Sequence, residues 1–447
     1  MKVTHDGRRM KVEVTSDGVG LVSHAGSALL AQVADKSGLT RALSRELGPL
    51  QLREGSHDRG RVVRDLAVML GDGGDCLADM AVVRDQVALF GQAASDSTAF
   101  RVIDQIASDP EAIDWLRAAH ARARTRVWEL AGAPQRLTID LDATLLTAHS
   151  DKEGAEPTWK RGYGFHPMLA YADQTGEALA GELRPGNAGA GTAADQIAVA
   201  EAALQQIPAE HIESIGLLLR VDSAGACHEL LDWCRDAKIG YSVGFDMTEP
   251  VRDAIAKIAD QDWVCALAQD CAERPNGQVC EITEQLDLQG WPTGSRVLVR
   301  RERAHPGAQL TFTDVDGHRF QAILTDQAGP VAEIERDHRG RARVEDHIRN
   351  DKDTGLRNLP FRDFEHNRVW LEIVRIAHDL IAWTQRLLLS GELATAEPKR
   401  LRYRLLHVAA RLAFHARTAT LRLQASWPWA SDLAAAFHKL KALPAPA

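Results

Sequence analysis

The sequence predicts an α/β protein: a mixed sheet with helices, interrupted by a β-rich insertion and flanked by helical regions at both ends. Three observations predict it. After Ala133-Pro134 the pattern changes from helical periodicity to the extended runs RLTIDLD, IGLLLRVD and GYSVGF, separated by the helical stretches TAADQIAVAEAALQQI and CHELLDWCRDA. Residues 251–326 then hold a series of strand-like segments. Before and after these regions, apolar residues recur at helical spacing.

The N-terminal region, 1–134, begins with a short extended stretch. In GSALLAQVADKSGLTRALSREL the helical pattern is broken at Ser37-Gly38, and RGRVVRDLAVML ends at Gly71-Asp72-Gly73-Gly74. Ser95-Asp96-Ser97 can cap TAFRVIDQIA, and EAIDWLRAAHARARTRVWELA forms a further helix. Short helices bearing basic residues suit a helix–turn–helix DNA-binding region, and they suit plain helical packing equally.

Residues 135–250 read as strand, hairpin, helix, strand, helix, strand. RLTIDLD is the first strand; FHPMLAYAD, the turn QTGE and ALAGELR make the hairpin. IGLLLRVD is an apolar run ending in an acid, as a buried strand would be. Residues 251–326 open with one helix, PVRDAIAKIA. WVCALAQD, GQVCEITEQL, SRVLVRRERA, AQLTFTDVDG and HRFQAILTD then predict strands. Residues 327–390 return to helix, including the long amphipathic FEHNRVWLEIVRIAHDLIAWTQRLLL. In 391–447, PKRLRYRLLHVAARLAFHA predicts a last, basic helix.

Bulk properties narrow the classes. No apolar run approaches the roughly 18 residues a membrane span needs, and MKVTHDGRRMKVEV lacks a secretory apolar core. The six cysteines, without CxxC spacing, read as reduced thiols and point to the cytoplasm; Cys265, Cys271 and Cys280 offer weak zinc spacing. Net charge is −9, yet from Arg386 onward ten basic residues face three acidic ones. Segregation of this kind leaves room for a phosphate-contacting surface in an acidic protein.

The chemistry gathers on a few residues. Asp140 and Asp142 alternate at the end of RLTIDLD and share a face, while Asp222 ends the next central strand. His338, Arg341, Glu345 and Lys352 lie at offsets that one regular helix would gather within about 60°. Carboxylates converging without thiol or imidazole favour hard cations, Mg²⁺ or Mn²⁺. Two such ions can serve in-line phosphoryl transfer.

At these residues the chain resembles the bacterial insertion-sequence transposases of the DDE superfamily, whose catalytic domain is ribonuclease H-like. One large group carries Tyr-x2-Arg-x3-Glu-x6-Lys around its glutamate; His338-x2-Arg341-x3-Glu345-x6-Lys352 keeps the spacing, with histidine in place of tyrosine. Asp142-Ala143-Thr144 matches the family's Asp-x-Thr, and Asp222 in RVDSAG matches its second aspartate. GGDCLADMAVVRDQ, STAFR and the asparagine-containing helix EHNRVWLEIVRIAHDLIAW also resemble the family, so the likeness spans nearly the whole chain.

The resemblance implies Asp142, Asp222 and Glu345 as catalytic metal ligands, with two Mg²⁺ or Mn²⁺ ions. It implies Arg341 and Lys352, with His338, as phosphate contacts; Trp159-Lys160-Arg161-Gly162-Tyr163 reads as a further DNA contact through Lys160 and Arg161 and equally as a solvated hairpin tip. Trp263 and Trp291 fall in the region where relatives stack a flipped base. The partners implied are double-stranded DNA (terminal inverted repeats and target) and a second copy in a synaptic homodimer, near the nucleoid. Three alternatives stand beside this reading. One is a DNA-binding protein derived from a transposase, against which the three acids speak. Another is a nuclease without strand transfer. The third is a glycosidase, disfavoured by the cations on the glutamate's face and by 5% aromatic content.

Overall fold

A computed structural model describes residues 13–51, 57–189, 191–303, 317–415 and 418–446. Among them nine strands form one sheet. They are β1 (Arg136–Ala143), β2 (Met168–Ala172), β3 (Glu177–Glu182), β4 (Gly216–Val221), β5 (Gly240–Phe245), β6 (Val264–Leu267), β7 (Glu273–Glu281), β8 (Arg296–Arg303) and β9 (His318–Thr325). Their order is β6-β7-β8-β9-β5-β4-β1-β2-β3. β1, β4 and β5 run parallel, and every other pairing is antiparallel. The strand–hairpin–helix–strand–helix–strand order is as expected, and the architecture is a mixed α/β sheet with helices on it. The β-rich insertion is not a separate layer: β9 pairs with β5 and extends the sheet at its edge. The expected strand in AQLTFTDVDG lies largely outside the described residues.

The helices that matter are α1 (Ala28–Lys36), α2 (Leu39–Glu46), α3 (Arg59–Asp72), α4 (Asp96–Ser108), α5 (Ala112–Ala131), α6 (Ala193–Leu204), α7 (His228–Asp236), α8 (Val331–Arg339), α9 (Arg343–Asp351), α10 (Phe364–Leu388) and α11 (Ala430–Ala442). The Ser37-Gly38 break separates α1 from α2, with Gly38 left-handed. Ser95 caps α4 by accepting from the Thr98 N–H. Thr192 does the same for α6 through Asp195.

Two cores result. One lies under the central strands and is closed by α6 and α7. The other surrounds α10, which is buried along most of its length. Residues of α1–α5 and of the C-terminal segment belong to this second core together. The N-terminal helices therefore pack on the same axis as the end of the chain. α3, buried around nearly its whole circumference, has no face free to enter a DNA groove.

The C-terminal region corrects one expectation. PKRLRYRLLHVAARLAFHA is not a continuous helix: a short helix, Pro398–Leu401, runs into a π-type turn at Arg402–Leu406. A hairpin of Ala410–His415 with Thr418–Leu423 follows. Arg402 is buried and donates to the carbonyls of Gly71 and Asp353, which holds the turn against the end of α3. Val22 and Leu21 then pair with Ala410 and Arg411, so strand pairing takes residues whose local pattern is helical.

Gly355 ends the segment that follows the glutamate helix. Its φ of 100° is left-handed, and a Cβ there would lie 2.6 Å from Leu70 Cδ2. Gly355→Ala should lower stability by more than about 1 kcal/mol. A denaturant midpoint equal to wild type would contradict this account of the turn.

Candidate active site

The parallel register sets the site. Asp140 on β1 stands opposite Arg220 on β4. Asp142 and Asp222 each lie two residues further on, at the carboxyl ends of neighbouring strands and on the same face. The deeper pair is closed: Arg220 Nε is 2.6 Å from Asp140 Oδ1, and Nη2 is 2.7 Å from Oδ2. Both residues are buried. Arg220 also reaches Asp173 at 3.1 Å, and Arg343 of α9 holds both oxygens of Asp173 at 2.5 Å. Asp140 thus has no free oxygen to offer a ligand, whereas Asp142 and Asp222 face the opening.

Asp142 Oδ1 accepts from the Ala143 N–H at 2.9 Å, and Asp222 Oδ1 from the Ala224 N–H at 3.0 Å. Arg341 Nη2 lies 3.3 Å from Asp142 and 3.8 Å from Asp222. Burial raises the Asp142 carboxyl to about 6; Arg341 pulls it down, and the charges of Asp222 and Glu345 push it up again. The structure thus brings the three acids and Arg341 into one electrostatic group. The three acids do not all have oxygens within 4.8 Å of one another. Their all-oxygen donor set fits hard divalent cations, whose charge would relieve the mutual repulsion.

The helix carrying Glu345 departs from the regular geometry expected of it. α8 ends at Arg339, Gly340–Ala342 is a 3₁₀ turn, and α9 begins at Arg343. Three residues at about 120° instead of about 100° rotate what precedes them by about 60° relative to Glu345. His338 accordingly turns to β5, where Nδ1 meets Ser242 Oγ at 2.8 Å. Although part of the residue reaches the surface, packing around the ring, together with Arg220, Arg341 and Arg300, pushes it down to about 3. It is a neutral tether between α8 and the sheet. Lys352 follows α9 and donates to Thr144 Oγ1 at 2.7 Å and to Leu145 O at 3.3 Å, fastening the Asp-x-Thr loop to the glutamate helix.

Lys160 and Arg161 sit on an exposed tip. Thr158 Oγ1 accepts from the Gly162 N–H, Arg161 adopts φ 62°, and Trp159 is 69% exposed with Lys160 Nζ 4.8 Å from its ring centroid. The tip is near enough that the Lys160 charge lowers the Lys352 ammonium, after burial and Arg357. Trp263 is buried, with Arg301 4.4 Å over its ring, and Trp291 packs on His228 with ring centroids 4.0 Å apart. Cys265, Cys271 and Cys280 do not converge, so the weak zinc expectation for them fails.

Sequence reasoning missed what holds α9 in place. Its last residue, Asp351, is buried and accepts from Tyr171 OH at 2.5 Å. His378 Nδ1 lies 2.5 Å from the same carboxylate and its Nε2 2.8 Å from Gly176 O. Burial works against the His378 charge, but Asp351 outweighs it and raises the ring to about 9, so both nitrogens donate. The available signal was a histidine inside the apolar run of α10.

The sequence matches the family described as transposase DDE domain group 1 over residues 4–445. The chain belongs to this family. Its members' defining chemistry makes it an enzyme of DNA transposition that cleaves DNA and transfers strands. Among solved structures, a piggyBac transposase in a synaptic complex with hairpin DNA matches over 86% of this chain and 80% of its own, at 9% identity and a TM-score of 0.45. No protein of curated function matches the chain. DDE transposases as a class depend on divalent metal. No helix among the described residues is long and apolar enough to cross a membrane.

Two outcomes follow for these carboxylates. A carboxyl raised to about 6 contributes stability that is fully present below its ordinary value of about 4 and is lost as the pH rises through about 6. Asp142→Asn should therefore stabilise the metal-free protein at pH 7.5, by on the order of 2 kcal/mol, with the gain about halved at pH 5 and gone below about pH 4. A melting temperature unchanged at pH 7.5 would refute the crowded-acid picture. Asp140→Asn should instead destabilise, because buried Arg220 loses its bidentate partner and keeps only Asp173. Urea unfolding checks this, and a neutral effect would count against the closed pair.

Proposed function

We propose that Asp142, Asp222 and Glu345 hold two Mg²⁺ or Mn²⁺ ions and cut DNA at the terminal inverted repeats of a transposon. The observation that carries this is the convergence of three acids, from two strand ends and one helix, around a guanidinium beside an exposed basic tip. When bound, the cations would activate the attacking oxygen and stabilise the leaving one. In the first step a water oxygen bonds to phosphorus and the P–O3′ bond breaks, leaving a 3′-hydroxyl and a 5′-phosphate. In the second, that 3′-hydroxyl attacks a target phosphodiester and displaces another 3′-oxygen. The resemblance to insertion-sequence transposases suggests a hairpin route for the opposite strand.

The protein's own cations then have separate tasks. Arg341, which bridges the two aspartates in the free protein, turns its fork to the scissile phosphate once the acids are neutralised. Lys352, fixed between Thr144 and Leu145, holds a neighbouring phosphate. Lys160 and Arg161 extend the track along the strand. His338, engaged with Ser242, supports the helix rather than touching DNA.

The C-terminal hairpin is the second DNA surface of this reading. Arg411 and Arg422 are exposed and directly opposite each other across the strand pair. Like charges so placed destabilise a hairpin unless an anion lies between them. Two copies would synapse a pair of ends as a homodimer.

Purified protein with labelled end DNA and Mg²⁺ or Mn²⁺ tests the site. Asp142→Asn, Asp222→Asn and Glu345→Gln should each slow nicking by on the order of 10³-fold or more. Nicking at the wild-type rate by any of them would remove that residue from the site. Arg411→Ser with Arg422→Ser should weaken end binding and reduce the salt slope by about 2, with the melting temperature kept. An unchanged slope would exclude the hairpin from the DNA surface.

A further inference from the structure

A second group of ligand-type side chains lies far from the acids. His24, Asp72 and His407 come from the segment before α1, the last residue of α3 and the end of the π-type turn. Their donor atoms all lie within 4.8 Å of one another. His24 Nδ1 is 2.6 Å from Asp72 Oδ2, and His407 Nε2 is 3.3 Å from Asp72 Oδ1 and 2.7 Å from the Asp72 carbonyl. Ser27 Oγ bonds the same carboxylate.

Several features set this cluster apart from an ordinary hydrogen-bonded trio. Asp72 is 4% exposed at the carboxyl end of a helix, and among the described residues the only side chains that hydrogen-bond its buried carboxylate are those of His24, His407 and Ser27. Arg402, whose charge interacts with Asp72, donates to the carbonyls of Gly71, Leu70 and Asp353. His24 has left-handed backbone (φ 50°, ψ 34°), uncommon for a residue with a Cβ. That conformation is enforced around it: the Ala25 N–H bonds Val408 O at 2.9 Å, and Gly26 presses on Leu405 O so closely that a Cβ would lie 2.0 Å from it. The two imidazole rings lie with centroids 4.2 Å apart and planes tilted by 34°, close enough for both to reach one ion. A cavity of about 470 Å³ lined by His407, Tyr403, Gln424 and Trp427, among others, opens beside the cluster and gives an ion its entry path and a water its place.

We propose that His24, Asp72 and His407 bind one zinc-type divalent cation, which fastens the N-terminal segment and the C-terminal hairpin to the end of α3. Two imidazoles and one carboxylate suit zinc and its neighbours, whereas the oxygen-only set at Asp142, Asp222 and Glu345 suits magnesium or manganese. The two sites therefore select different metals. The clasp closes the same junction that Leu21 and Val22 make by pairing with Arg411 and Ala410. Binding expels any proton on the ligating imidazole nitrogens, and Ser27 remains as a hydrogen-bond partner of the carboxylate.

The test uses the full chain, stripped with chelator and titrated with Zn²⁺, in a background carrying Asp142→Asn and Glu345→Gln to silence the acid site, with Cys76→Ser to silence the neighbouring Asp75, Cys76 and Asp79 group. One equivalent of Zn²⁺ should bind, raise the melting temperature and survive gel filtration. His24→Gln and His407→Gln should each weaken it about a hundredfold or more. X-ray absorption of the same zinc-loaded protein, without ligand substitutions, should show imidazole scattering from two rings; this readout holds even if the histidine variants fold poorly. Absence of Zn²⁺ binding, binding that both histidine variants retain, or sulfur in the first coordination sphere would each overturn the proposal and leave a hydrogen-bonded latch.

Discussion

The buried pair of Asp140 and Arg220 is the interaction on which the site depends. It joins the two central parallel strands in one register, and that register places Asp142 and Asp222 side by side. Breaking the pairing by one residue would turn one of the two aspartates to the opposite face of the sheet. Through Arg220 the same pair reaches Asp173, and through Asp173 it reaches Arg343 on the glutamate helix. One chain of charge thus ties together the strand ends and the helix that supply all three acids.

The sheet treats its charges in two ways. Below the surface every carboxylate of this network has a guanidinium, in near-bidentate contact, and is closed to solvent. At the rim the balance is left negative: Asp142 and Asp222 share Arg341, and burial with the charges of Asp222 and Glu345 raises the Asp142 carboxyl to about 6. An unbalanced rim is unfavourable for the free protein and favourable for binding cations. The closed layer underneath keeps the rim from relaxing, because its ion pairs would have to break first.

The long helix α10 is the second organising element. It carries His378, which with Tyr171 grips Asp351 at the end of the glutamate helix. Its other sides are covered by the N-terminal helices and by the C-terminal segment. The beginning and end of the chain therefore stabilise the catalytic layer from behind, which leaves the rim, the basic tip at Lys160 and Arg161 and the hairpin at Arg411 and Arg422 for contacts outward.

Much of this was legible in the sequence. Alternation and apolar runs located the strands, caps and glycines bounded the helices, and strand-end aspartates with the Arg341-Glu345-Lys352 spacing marked the site, because such signals depend on neighbours a few residues apart. Tertiary structure decided the rest. It separated Asp140 from Asp142, since only the parallel register shows that Arg220 takes one and leaves the other. It turned His338 away from the acids by tightening Gly340–Ala342, and made strands of Ala410–His415 and Thr418–Leu423 in a stretch of helical pattern. It also gathered His24, Asp72 and His407 from three distant segments. The hairpin, though its strands are close in sequence, takes its outer pairing from Leu21 and Val22. Asp140 is decided by a partner 80 residues away and the His24, Asp72 and His407 group by segments dozens to hundreds of residues apart, distances at which local periodicity carries no information.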